Sequence, residues 1–146
     1  MIDIPDNDAI LEAIELLYFG YRAFTEGPDE LLAKHGLNRA HHRILYFIAR
    51  NEGLSVSELL NTLSISKQAL NTPLRQLVSM ELVKNRKSSS DARYRELRLT
   101  ANGKRLEKRL TKSQHTQLQS IFNAVGPEAH LHWRKVMLAL ADKSTI

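Results

Sequence analysis

Residues 55–80 read SVSELLNTLSISKQALNTPLRQLVSM, a stretch that predicts two short helices joined by a tight turn. Ser55 and Glu58 have the spacing of a capping box. In this motif the serine hydroxyl accepts from the backbone amide three residues later, and the glutamate carboxylate accepts from the backbone amide of the serine. Ser66 is placed to cap the second helix. The inward positions are Val56, Leu59, Leu60 and Leu63 in the first helix and Ala69, Leu70, Leu74, Leu77 and Val78 in the second. This arrangement is typical of a helix-turn-helix.

Two short strands are predicted directly after these helices. Residues 82–86 and 95–99 flank a serine-rich segment at 87–91, and in the second strand Leu97 and Leu99 alternate with charged residues. That alternation indicates a strand with one buried and one solvated face. Because a hairpin that follows a helix-turn-helix is a wing, the centre of the chain predicts a winged helix-turn-helix.

Further helices are predicted on both sides of this unit. Apolar residues recur at helical spacing from Ile10 to Tyr21, and Gly27-Pro28 is expected to break that helix. Thr100 can cap a long helix that ends at Gly126, and Pro127 suits the first position of a last helix. The expected fold class is mainly α with a small β-hairpin wing, a winged helix-turn-helix flanked by N- and C-terminal helices.

The composition fits a single domain with a polyanionic partner. The 146 residues carry a net charge of +5 and a pI of about 9.6. The absence of cysteine excludes disulfides, thiolate zinc sites and a cysteine nucleophile. Residues 1–8 are acidic and unlike a secretory signal, and no apolar run is long enough to span a membrane, so a cytoplasmic location is expected.

One face of the second central helix is polar and carries no acidic residue. Its members are Lys67, Gln68, Asn71, Thr72 and Arg75, which fall on one continuous stripe. Each of these side chains can donate a hydrogen bond to a phosphate or a base edge, and Gln, Asn and Arg can do so in pairs. A solvated helix face is the alternative interpretation, but the helix-turn-helix context favours DNA contact.

The predicted hairpin is strongly basic. It carries Lys84, Arg86, Lys87, Arg93, Arg95 and Arg98 against only Asp91 and Glu96. Such a hairpin suits a minor groove or flanking phosphates. A hairpin that uses charge to block edge pairing is the alternative, but it does not explain so large an excess of one sign.

Three motifs resemble the multiple-antibiotic-resistance regulator (MarR) family of transcription factors. Residues 91–103, DARYRELRLTANG, resemble the family's wing signature of Asp-x-Arg followed by an apolar-x-Leu-Thr-x-x-Gly run. Residues 63–70, LSISKQAL, are similar to its turn and recognition-helix start, and residues 53–59, GLSVSEL, to the start of the preceding helix. The resemblance implies a single domain over 1–146, with the winged unit at about 37–100 and dimerisation helices at 8–26 and 101–143.

The resemblance also implies roles for individual residues. The helix from Ser66 to Met80 would enter the major groove, Arg93 would reach the minor groove from the wing tip, and Asp91 would brace the wing by pairing with an arginine. The implied DNA contacts are Ser66, Lys67, Gln68, Asn71, Thr72 and Arg75 on the helix and Lys87, Ser89, Arg93 and Arg95 on the wing. A homodimer on a pseudo-palindromic operator in double-stranded DNA follows from the same resemblance.

Members of the family commonly hold a small aromatic effector between the dimer helices and the winged domain. The residues expected to line such a pocket here are Tyr18, Arg22, His42 and Arg43. The implied function is a sequence-specific transcriptional regulator, a repressor relieved by a small molecule.

The chain departs from the family pattern at three positions. Thr72 stands where an arginine is common, and Glu81 stands where a helix-ending glycine is frequent. Pro73 stands where the family carries an ordinary helical residue, so the helix either kinks there or restarts with Thr72 as its cap.

Other classes of function have little support in the sequence. His130 and His132 lie about 200° apart around a helix and therefore cannot share one metal ion. We expect neither a metal ion nor another cofactor. No phosphate-binding glycine loop, Gly-x-Ser-x-Gly or His-Glu-x-x-His motif is present, which argues against an enzyme. A winged helix that binds protein, without a cognate operator, is the alternative.

Overall fold

The computed structural model describes residues 4–142 and contains, in this order, four helices, a hairpin and two helices. The elements are α1 (Asn7–Lys34), α2 (Arg39–Arg50), α3 (Val56–Leu63), α4 (Lys67–Ser79), β1 (Val83–Lys87), β2 (Arg95–Leu99), α5 (Ala101–Val125) and α6 (Ala129–Ala141). The mainly α fold class with a hairpin wing is therefore confirmed. No helix between residues 4 and 142 is long and apolar enough to cross a membrane.

The helix-turn-helix is formed by α3 and α4, and its caps are those expected from the sequence. Ser55 and Glu58 form the reciprocal capping box of α3, and the Ser66 hydroxyl accepts from the Ala69 amide at the start of α4. The predicted inward set of α4 is wrong at both of its ends, because Ala69 and Val78 are exposed. The buried side is narrower than predicted, since α4 lies at the surface and only one stripe of it meets the core.

The wing is an antiparallel pair in which Val83 lies opposite Leu99 and Lys87 lies opposite Arg95. Leu97 and Leu99 are buried as predicted. Thr100 caps α5 by accepting from the Gly103 amide at 2.9 Å. A β-carbon at position 103 would lie 2.0 Å from the Leu82 carbonyl oxygen, so only glycine lets α5 begin this close to the base of the wing.

One apolar core joins the winged unit to its flanking helices. Its fully buried members include Leu32 of α1, Ile44 and Leu45 of α2, Leu77 of α4 and Leu110 of α5. Only the last turns of α1 and the first turns of α5 contribute to this core, so long stretches of both helices extend beyond it. The core thus fixes the wing and α4 on a rigid base.

The predicted break of the first helix at Gly27-Pro28 is wrong, because α1 continues to Lys34. Proline at position 28 leaves the carbonyl oxygen of Phe24 without its helical donor. The Gln114 side-chain amide of α5 donates to that oxygen at 3.4 Å, and the Pro28 ring is buried. Tertiary contacts therefore offset the cost of an interior proline.

The last helix begins two residues later than predicted, at Ala129. Gly126 ends α5, but Glu128 occupies the N-cap position of α6 and Pro127 precedes it, so Pro127 is not the first helical residue. Phe122 of α5 contacts Trp133 of α6 edge to face, with ring centroids 5.7 Å apart. The expected dimerisation segment 101–143 ends on Lys143, which lies outside the described residues.

Candidate nucleic-acid interface

The polar face of α4 is free for contact along its whole length. Its residues, Ser66, Lys67, Gln68, Asn71, Thr72 and Arg75, are all exposed. On the opposite side Leu70, Leu74 and Leu77 are buried in the core. The helix therefore presents donors outward on a fixed backbone and carries no carboxylate on that face.

Pro73 lies inside one continuous helix, so Thr72 is not the cap of a new one. The ring is half-buried, and the Ala69 carbonyl oxygen has lost its donor at position 73. The polar face therefore runs without interruption from Ser66 to Arg75.

At the wing tip, Asp91 pairs with Arg93. The Arg93 guanidinium donates to both carboxylate oxygens, with Nη2 2.8 Å from Oδ2, and the Arg93 amide donates to Oδ1 at 3.1 Å. These hydrogen bonds hold the pKa of Asp91 below its usual range, and the carboxylate holds the pKa of Arg93 above its own. Arg93 nevertheless remains largely exposed and oriented by its neighbour.

The other basic and polar side chains of the wing differ in whether they are bonded to neighbouring groups. Lys87 and Ser89 are exposed, whereas the Arg95 guanidinium donates to the Asn85 carbonyl at 3.2 Å. Arg98 lies near the carboxylates of Glu52 and Glu96 at 3.4 and 3.3 Å, and so joins the wing to the turn before α3. The hairpin is thus anchored at its base and basic towards its tip.

A cavity of about 430 Å³ lies between α1, α2 and α5. Its lining includes two of the residues expected in an effector pocket, His42 and Arg43, whereas the other two, Tyr18 and Arg22, do not line it. Both residues lie on exposed parts of α1, and Tyr21 reaches the cavity instead. Further lining residues are Phe24, Thr25, Arg39, Tyr46, Phe47, Thr111, Gln114, His115 and Leu118.

Some polar side chains that line the cavity have hydrogen-bond partners, and others do not. Arg43 donates to the Tyr21 phenol oxygen at 2.7 Å, and Arg39 forms a bidentate pair with Asp29, which raises the pKa of Arg39. His42 is buried and its Nε2 has no hydrogen-bond partner. Burial lowers the pKa of His42, which favours the neutral form of its ring.

Two functional candidates have no clear sequence signal. Glu107 is buried beside the cavity, where it accepts from Arg50 at 2.5 Å and from the Thr111 hydroxyl at 2.6 Å. In the sequence it stands within a run of basic residues, typical of a solvated face. His41 is buried, and the one local signal for a capping role is its position three residues after Asn38, the cap of α2. Within residues 4–142, no group of three metal-ligating side chains is placed to hold an ion.

Comparison with known proteins agrees with this geometry. A model of the MarR family matches residues 35–93. The HTH-type transcriptional regulator PetP of Rhodobacter capsulatus is 39% identical over 136 residues, which are 93% of this chain and 82% of PetP. Staphylococcus aureus MarR in complex with salicylate and kanamycin has a TM-score of 0.75 at 20% identity, covering 92% of this chain and 91% of that one. A mutant MarR from E. coli complexed with operator DNA has a TM-score of 0.67 at 21% identity, covering 92% and 99%.

A helix-turn-helix followed by a basic wing and flanked by long helices defines the winged helix-turn-helix class. Within that class, the similarity to PetP extends along nearly the whole chain and is well above the identity shared with the two solved structures. The chain belongs to the MarR family of transcription regulators.

Proposed function

We propose that this chain is a homodimeric repressor that reads a pseudo-palindromic operator with α4. The observation that carries the proposal is the exposed face of α4, where every side chain from Ser66 to Arg75 on the outer stripe is a donor. In the major groove, Gln68, Asn71 and Arg75 have the chemistry for paired bonds to base edges, while Lys67 suits a phosphate.

The wing supplies contacts of a different kind. Arg93 is exposed, and its ion pair with Asp91 already holds it in one orientation. It can therefore enter a minor groove with little further loss of side-chain freedom. Lys87, Ser89 and Arg95 lie on the same hairpin and suit flanking phosphates. We therefore assign sequence reading to α4 and general affinity to the wing.

Dimerisation is supported by apolar surface that the monomer leaves exposed. On α1 it comprises Ile10, Leu11, Ile14, Leu16, Leu17, Tyr18 and Phe19, and on α5 and α6 it comprises Ile121, Val125, Leu131, Trp133, Val136, Leu138 and Leu140. These side chains are 47 to 72% exposed, and so much apolar surface on a small protein marks an interface. Pairing these helices with those of a second copy would bury it and place two α4 helices on one duplex.

The cavity supports regulation by a small molecule. The S. aureus relative was solved with salicylate, an aromatic acid. Here Phe24, Tyr46 and Phe47 supply aromatic walls, while Arg43 supplies a polar contact. We infer that a small aromatic acid or phenol occupies this cavity and relieves repression.

Selection from a random DNA pool tests the proposal most simply. The full-length protein should enrich an inverted repeat whose half-sites lie about one helical turn apart, since a two-fold dimer presents two recognition helices about 34 Å apart. Enrichment of a single unrepeated element, or of no sequence at all, would contradict it. Absence of salt-dependent duplex binding would favour a winged helix that binds protein.

A further inference from the structure

His41 is a buried histidine with both ring nitrogens engaged. It is only 4% exposed, and its Nδ1 accepts from the Asn38 backbone amide at 3.0 Å, which caps the start of α2. Its Nε2 lies 2.6 Å from the Gln76 side-chain oxygen of α4. Because the amide hydrogen of Asn38 points at Nδ1, the proton of the neutral ring belongs on Nε2, which donates to Gln76.

This hydrogen bond distinguishes His41 from the other contacts of α4. Within the part of the chain that the structure describes, it is the only side-chain hydrogen bond or ion pair that links α4 to another helix or strand. The core contacts of α4 are apolar, through Leu70, Leu74 and Leu77. Apolar packing has no directional preference, whereas a hydrogen bond fixes both a distance and an angle.

The position of Gln76 makes this restraint relevant to the polar face. Gln76 follows Arg75 in sequence, so the restraint acts within one turn of the end of that face. A small rotation of α4 about its axis moves the tip of a long side chain such as Arg75 farther than it moves the backbone. Paired hydrogen bonds to base edges tolerate little of such movement.

We propose that His41 is a positioning residue for DNA recognition, which holds Gln76 and thereby fixes the rotation of α4 in front of the base edges. The inference rests on the proposed role of α4 in reading DNA. His41 acts through α4 and needs no contact with DNA.

Two substitutions of His41 separate its two bonds. His41→Asn keeps an acceptor near the position of Nδ1 and so retains the cap of α2, but it removes the donor to Gln76. His41→Gln reaches farther and retains an N–H donor near the position of Nε2. Gln76→Leu removes the acceptor from the other side, at an exposed position where folding is expected to persist.

The test compares two duplexes of equal length: a site selected from a random pool by the wild-type protein, and a scrambled version of it. Affinities for both are measured by fluorescence anisotropy at fixed salt, with a thermal melt of each variant as the folding control. His41→Asn and Gln76→Leu should each lower the ratio of the two affinities at least about fivefold, the value of one hydrogen bond. The double variant should lose no more than either single variant, and His41→Gln should keep the wild-type ratio.

Several outcomes would overturn the inference. If His41→Asn and Gln76→Leu keep the wild-type ratio, or if their losses add in the double variant, the positioning role is wrong although α4 still reads DNA. A loss in His41→Gln with retention in His41→Asn would assign the effect to the cap of α2. If the wild-type protein shows no preference for the selected duplex, the proposed function itself fails.

Discussion

Glu81 follows the end of α4 in a left-handed conformation, with φ of 58°. Its amide donates to the Val78 carbonyl and the Leu82 amide donates to the Leu77 carbonyl, which is the Schellman pattern of a helix end. Glycine is frequent at this position because a β-carbon there costs about 1–2 kcal/mol. The sequence identified Glu81 as unusual, and the backbone shows why.

Glu81→Gly should therefore raise the free energy of unfolding by about 0.5–1 kcal/mol, since the entropy cost of glycine offsets only part of the strain that it relieves. Glu81→Ala is the matched control, because it removes the carboxylate and keeps the β-carbon. Denaturant unfolding of the three proteins gives the comparison. If both variants gained the same free energy of unfolding, the effect would come from the loss of the Glu81 carboxylate. That result would contradict backbone strain at this position.

His42 predicts a pH dependence of stability. Its pKa is lowered by burial from the ordinary value of 6.5, so below that pH the unfolded chain takes up a proton that the folded protein does not. The free energy of unfolding should then fall as pH drops from about 7.5 through 6.5. His42→Gln should lose this part of the slope, and the other histidines, common to both proteins, serve as the internal control. Identical slopes in denaturant melts at each pH would refute this account.

At the scale of elements, the two interior prolines show what local patterns can predict. Short-range signals sufficed for the caps at Ser55, Ser66 and Thr100, because each cap depends on residues within one turn. They failed at Pro28, because the donor that satisfies the freed carbonyl comes from a helix far along the chain. At Pro73 the sequence allowed two outcomes, and the observed one is an unbroken helix.

Pro73→Ala should raise the stability of the protein, because α4 is continuous and the substitution restores the hydrogen bond to the Ala69 carbonyl. A gain of about 1–3 kcal/mol is expected from the usual cost of an interior proline. Thr72→Ala is the control, since a cap at Thr72 would make its loss destabilising by about 1 kcal/mol. Thermal melts in which Pro73→Ala is destabilising would indicate a helix that restarts at Thr72.

At the scale of the whole molecule, the winged unit was predictable and the cavity only in part. The winged unit is built from neighbouring segments with their own hydrophobic periodicity. The cavity combines α1, α2 and α5, and which face of α1 meets it depends on packing that the sequence does not reveal. Of the four residues expected to line an effector pocket, His42 and Arg43 on α2 line this cavity, whereas Tyr18 and Arg22 on α1 do not.

The exposed apolar stripes of α1, α5 and α6 predict a dimer in solution. Light scattering at micromolar concentration should give twice the chain mass of 16.7 kDa. Leu17→Glu, on the exposed part of α1, should shift the mass towards one chain, whereas Lys108→Glu on the polar side of α5 should not. A wild-type mass of one chain would contradict the dimer.

In the proposed function, α4 reads the DNA sequence and the wing supplies general affinity. Duplex binding across a range of salt concentrations tests this assignment most directly. The measurement compares Gln68→Ala and Arg93→Ala on the selected and scrambled duplexes. Gln68→Ala should weaken the selected duplex far more than the scrambled one, by about 1–3 kcal/mol, because it loses a base contact. Arg93→Ala should weaken both by similar factors and flatten the salt dependence by about one ion. If instead Gln68→Ala weakened both duplexes equally, α4 would not be the part of the molecule that reads sequence.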